Sequence, residues 1–120
     1  MALQEHLFDL KEGFWLSGEE HFLEHVDKEC LLAFPQMGEM HGVFAREHVA
    51  ATAMNANRWR DLRLSGRHLL RVDDDVAIIS YRADVTRADD QPYLALVSSA
   101  YVQTSDGWNL AFHQHSPVEE

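Results

Sequence analysis

The stretch Thr104-Ser105-Asp106-Gly107-Trp108-Asn109-Leu110-Ala111-Phe112-His113-Gln114-His115 decides how this chain folds. Ser-Asp-Gly supplies a tight turn, because glycine tolerates the positive φ that a short hairpin needs, and the aromatic alternation after it reads as a strand. Residues two apart on a strand share a face. His113 and His115 therefore lie together with Ala111, and Trp108, Leu110, Phe112 and Gln114 take the other side. Alternation defines the two faces and not their direction. The histidines are read as the inward pair, with Gln114 as the inward polar group on the opposite assignment. Polar side chains at the end of an otherwise apolar strand can line a pocket mouth, yet His-Gln-His is no recognised catalytic motif.

Working upstream, the same period of two runs back to Trp59. Tyr93 to Thr104 reads as a strand, and Arg87 to Pro92 as the polar turn before it. Ala77, Ile79, Tyr81, Ala83 and Val85 alternate in the strand preceding that turn. The acidic tip Asp73-Asp74-Asp75 joins it to one in which Leu62, Leu64, His68, Leu70 and Val72 are expected to share a face. Val76 and Ile78 make the opposite face of their strand apolar too, so a second copy of the chain is expected to cover it.

Before Trp59 the period is helical. Leu3, Leu7, Leu10 and Phe14 predict an amphipathic helix near 2 to 16, ended by Ser17-Gly18. A second short helix runs to about Val26, with Ser17 or Gly18 as its cap and Glu19 and Glu20 in its first turn. Cys30 to Phe34, stopped by Pro35, reads as a buried strand, and the glycines between Gln36 and Gly42 suit a turn and return. Phe44 to Ala56, free of Gly and Pro, predicts a third helix. Helices first and a strand meander behind them argue one α+β domain over residues 1 to 120, in which a curved sheet wraps the helical layer.

Composition narrows the function classes. A chain of 120 residues has room for one core. Twenty acidic against ten basic residues give a net charge of −10, which repels phosphate backbones and anionic lipid, so nucleic acid and membranes are not expected partners. Neither a secretion signal nor an apolar span is visible. Cys30 has no second cysteine to pair with, which fits a reducing cytoplasm, the expected location.

Phe14-Trp15 with Ser17-Gly18, Leu32-Ala33-Phe34-Pro35, Gly42, Arg58-Trp59, Tyr81-Arg82, and Asp106-Gly107-Trp108 running into His113-Gln114-His115-Ser116-Pro117 resemble small domains of the nuclear transport factor two-like superfamily. The resemblance covers nearly the whole chain and is closest to stand-alone bacterial members and the calcium/calmodulin-dependent kinase association domain. It implies a cone with N-terminal helices packed in the concave face of a strongly curved, mostly antiparallel sheet, an interior cavity, and dimers through the sheet's outer face. It implies no single chemistry, since isomerases, cyclases, dehydratases and assembly modules share the fold. Ketosteroid isomerases use a carboxylate base with a Tyr and a protonated acid as oxyanion donors. Tyr81 is a possible donor here, but Asp61 and Asp84 match no catalytic position of that family.

The expected ligand-binding set is Trp15, Phe34, Trp59, Tyr81, Ser98, His113 and His115, around a small-molecule ligand with no cofactor. Large rings such as Trp15 and Trp59 supply pocket wall at low entropy cost, although core packing is their commoner fate. Tyr81 in an apolar register needs a hydroxyl partner, either the ligand or Ser98 across the sheet. His21 and His25, four apart beside Glu20 and Glu24, could share a metal on one helix face, but no third ligand follows and no metal is expected. Asp73 to Asp75 lack calcium-loop spacing and read as a solvated tip. The sequence thus points to a ligand-binding domain. The alternatives are a cofactor-independent isomerase, dehydratase or cyclase, with His113 or His115 moving the proton, and an assembly module whose cavity is incidental.

Overall fold

The computed structural model describes residues 3–16, 19–33, 41–55, 59–87, 90–105 and 107–118, with the side chains of 16, 19, 52–55, 59, 60 and 87 excepted. In chain order the elements are α1 (Leu3–Leu16), α2 (Glu19–His25), β1 (Val26–Ala33), β2 (His41–Ala45), α3 (Arg46–Asn55), β3 (Trp59–Asp73), β4 (Val76–Arg87), β5 (Pro92–Thr104) and β6 (Gly107–Pro117). The strands form one six-stranded sheet in the order β2-β1-β6-β5-β4-β3. Only the β1–β6 pairing is parallel among the described strands. This is the expected α+β cone, with helices packed in the concave face of a curved, mostly antiparallel sheet.

The apolar stripe of α1 meets the inner face of that sheet. Leu7, Phe8, Leu10 and Trp15 are buried, and Phe8 sets its ring edge against Tyr81, centroids 5.7 Å apart. On β4 every second residue from Ala77 to Val85 is buried, as alternation requires of a strand with one face on the core. Ala95, Val97, Ser99 and Tyr101 continue that layer on β5.

Several boundaries and faces differ from expectation, each for a local reason. Phe44 and Ala45 belong to β2, where they pair with Cys30 and Glu29, so α3 starts only at Arg46. β1 begins at Val26, earlier than the apolar run suggested, because its first half is mixed in polarity: Val26 is buried and pairs with Leu110 of β6, while Lys28 and Glu29 are exposed. In β3 the expected face is broken. Register shifts between Ser65 and His68, with Gly66 at φ +57°, so Leu64 and Leu69 both face the core opposite Ala83 and Ile79. The inserted residue reverses the alternation, leaving Leu70 and Val72 63% and 55% exposed. The expected cap at Ser17 or Gly18 and the turn over 36–40 lie outside the described residues.

The outer face carries a continuous apolar row. Val43, Leu31, Phe112, Ala100, Ile78 and Leu70 are successive cross-strand neighbours over all six strands. None of the described helices is long and apolar enough to cross a membrane.

Candidate functional site

The second departure from strict alternation builds the site. Ala100 pairs with Phe112 and Tyr101 with Leu110, so Ala111 is an extra residue in β6. Trp108 and Leu110 face the core before this bulge, and His113 and His115 face it after, opposite Ser99 and Val97. The expected grouping of Phe112 and Gln114 with Trp108 and Leu110 is therefore corrected: Phe112 and Gln114 lie on the outer face, opposite Ala100 and Ser98. A single bulge lets one strand present both an apolar and a polar patch to the same interior.

His113 is buried and bonds at Nδ1 to Lys11 of α1 and, at 2.9 Å, to Ser99 Oγ. Its Nε2 is 2.6 Å from His115 Nε2, and His115 Nδ1 is 3.3 Å from Tyr93 Oη. The chain Lys11–His113–His115–Tyr93 is satisfied by two proton arrangements. In one, the Lys11 amine donates to His113, His113 to His115, and His115 to Tyr93; in the other, open only to a neutral amine with a lone pair to accept, every donor and acceptor is exchanged. Trp15 stacks on His115 and donates Nε1–H to Tyr81 Oη at 2.8 Å. Tyr81 thus finds its partner in Trp15, not Ser98. Ser98 lies on the outer face, its Oγ 3.5 Å from that of Ser80.

Burial sets the protonation of this cluster. Desolvation, and then the Lys11 charge, hold His115 down at about 3. His113 is held well below its usual range by the same burial, with Lys11 and His115 adding to it. Lys11 is fully buried, and desolvation lowers its amine well below the ordinary lysine range. Desolvation raises the Cys30 thiol to about 11, so it stays protonated at neutral pH. Tyr101 is fully buried within electrostatic reach of Tyr81 and Cys30, and its hydroxyl has no hydrogen-bond partner among the described residues.

Of the seven expected ligand-binding residues, Trp15, Tyr81, His113 and His115 come together on the inner face. Phe34 lies outside the described residues, Trp59 opens β3 with its side chain outside them, and Ser98 faces away. Lys11, Tyr93, Ser99 and Tyr101 were not foreseen. The signal for Lys11 was present in the spacing Leu7, Lys11, Trp15, which puts a charged residue inside the buried stripe of α1. His21 does not offer a free imidazole: it is hydrogen-bonded through Nε2 to the Leu10 carbonyl at 2.9 Å and packs its ring on Phe14. The acidic tip is solvent-exposed, as read, with Asp75 N–H donating to Asp73 Oδ1 at 2.7 Å.

No protein-family model and no curated protein matches this chain. Solved structures do match in fold. An NTF2-like protein from Cytophaga hutchinsonii superposes with a TM-score of 0.76 at 13% identity, covering 98% of this chain and all of that one, 100%. A candidate dehydratase of the NTF2-like family from Streptomyces avermitilis gives 0.73 at 17% identity, covering 97% and 96%. A cystatin-like-fold protein of unknown function from Nostoc punctiforme gives 0.71 at 17% identity, covering 95% and 90%. The chain has the NTF2-like fold, and at these identities the likeness is one of fold.

Proposed function

We propose that this domain binds a small, partly apolar organic molecule against the inner face of its sheet, among Trp15, Tyr81, Tyr101, His113 and His115. The observation that carries the reading is the Tyr101 hydroxyl, fully buried and without a partner among the described residues. An unsatisfied buried hydroxyl costs about 1–3 kcal/mol, which a polar atom of a ligand would offset. Mostly apolar walls with a few convergent polar groups are the usual make-up of a small-molecule site. A thermal-shift screen of small hydroxy and carbonyl compounds, followed by calorimetry on wild type and Tyr101→Phe, tests it. The expected result is a binder whose affinity falls about tenfold in a variant that folds normally, the cost of one lost hydrogen bond. Equal affinity in the two proteins would overturn the assignment of Tyr101.

A second reading, a cofactor-independent isomerase, dehydratase or cyclase, is favoured by the Lys11–His113–His115–Tyr93 chain. Exchange of its two proton arrangements carries a proton from one end to the other, and Tyr81, which accepts from Trp15, keeps its own O–H to donate to a developing oxyanion. We also propose a homodimer through the outer face, supported by the apolar row from Val43 to Leu70, and a cytoplasmic location, supported by a single, buried thiol.

A further inference from the structure

Ten basic residues are present, yet only two, Lys11 and Lys28, are lysines; the other eight are arginines. Lys28 is exposed on β1, whereas Lys11 is fully buried. We infer that Lys11 is a nucleophile that forms an imine with an aldehyde or ketone held at the inner face of the sheet; this rests on the small-molecule reading above.

The surroundings of the amine argue for it. Its nitrogen bonds to His113 and stands 5.5 Å from the Phe14 ring centroid. No carboxylate among the described residues pairs with it, and the nearby Cys30 is a neutral thiol. Among the described residues an ammonium there would have no counter-charge, only the face of the Phe14 ring and two imidazoles. Burying an uncompensated charge is strongly unfavourable, and an apolar side chain of similar length would pack as well without that cost. A neutral amine has a lone pair to offer, which a guanidinium does not, and desolvated lysines are the ones that react with carbonyl groups. The Tyr101 hydroxyl, without a partner among the described residues, is a second, independent sign that the interior accepts a polar ligand atom.

The step balances with the groups present. The Nζ lone pair attacks the carbonyl carbon, the C=O π pair moves onto oxygen, and a proton leaves Nζ for His113 Nδ1 as oxygen takes one up. After that hydroxyl gains a second proton, the nitrogen lone pair expels it as water, leaving a protonated C=N whose remaining N–H proton passes to His113, so that both amine protons end on the water. Amine and carbonyl become imine and water, with no oxidation or reduction. His113 is placed to hold the proton, and His115 and Tyr93 to pass it on.

The test is reductive trapping at pH 7 of the whole protein with cyanoborohydride and either benzaldehyde or formaldehyde, followed by peptide mapping. An ordinary lysine is almost wholly protonated at pH 7, so Lys11 should be alkylated about tenfold or more faster than Lys28. Lys11→Met, which keeps the apolar stem, should lose that product while Lys28 labelling is unchanged. Labelling of Lys11 by formaldehyde alone supports the imine and restricts it to small aldehydes. Labelling confined to Lys28 and the terminal amine with both reagents overturns it, whatever the Tyr101→Phe calorimetry shows about non-covalent binding.

Discussion

The indole of Trp15 lies flat on the imidazole of His115, ring centroids 5.1 Å apart and planes within 10°, while its Nε1–H donates to Tyr81 Oη at 2.8 Å. One side chain of α1 thereby ties β6 to β4 across the interior. Trp15→Phe keeps part of the stacking and removes the donor. It should destabilise the fold by about 1–3 kcal/mol, and by less in a Tyr81→Phe background, where the hydroxyl it leaves unpaired is gone. Urea denaturation of the four proteins of this cycle measures the coupling; strict additivity would mean the bond contributes nothing.

Gly13 is interior to α1, where alanine would normally stabilise by about 0.5–1 kcal/mol. Here an added Cβ would stand 2.2 Å from the His21 ring, which is bonded to the Leu10 carbonyl and packed on Phe14. Gly13→Ala alone should therefore lower the thermal midpoint. In a His21→Ala background the same substitution should raise it, and a fall in both backgrounds would show that the glycine is needed for another reason.

Stability should fall in acid. In the unfolded chain each imidazole takes up a proton near pH 6.5. Folded, His115 does so only at about 3, and His113 is also shifted well down. Between these limits the unfolded state binds more protons, so the contribution of the two histidines to stability is full above about pH 6.5 and is lost as the pH drops towards 3. The slope should approach roughly 1.4 kcal/mol per pH unit for each histidine. Denaturant titrations from pH 4.5 to 7.5 on wild type and His113→Gln/His115→Gln check this, the double variant being expected to show a flatter profile.

Phe112 and Ile78 flank Ala100 in the outer apolar row, both half-buried. Light scattering at micromolar concentration should give the mass of a dimer for the wild type and of a monomer for Ile78→Glu or Phe112→Glu, since a charge inside an apolar interface goes unpaired. A monomeric wild type would refute the dimer.

The helical stripe Leu3, Leu7, Leu10, Phe14 and the alternation on β4 were legible because burial imposes a simple period there. The faces of β3 and β6 were not, since a bulge inserts one residue without changing composition, and every side chain beyond it points the other way. Thus Leu70 and Val72 were grouped on one face with Leu64, and Phe112 with Leu110. Of the site, His113 and His115 stood out as polar residues in an apolar strand, and Trp15 as a large ring at a helix end. Lys11 was hidden by the habit of reading a lysine as solvated, and Tyr101 by its place in a run that reads as ordinary core. The partnership of Tyr81 with Trp15, 66 positions away, is a tertiary contact that no local pattern announces.

β6 follows the other strands in the chain yet sits in the middle of the sheet, between β1 and β5. During vectorial synthesis the β1–β2 hairpin has no further strand to pair with until β6 has emerged, so the sheet cannot close one strand at a time. β1 and β6 are joined across most of the chain's length, the kind of distant pairing that slows folding and leaves strand edges open meanwhile. One edge of β1 therefore stays unpaired in the nascent polypeptide until the imidazole-bearing strand arrives to join the two halves of the sheet.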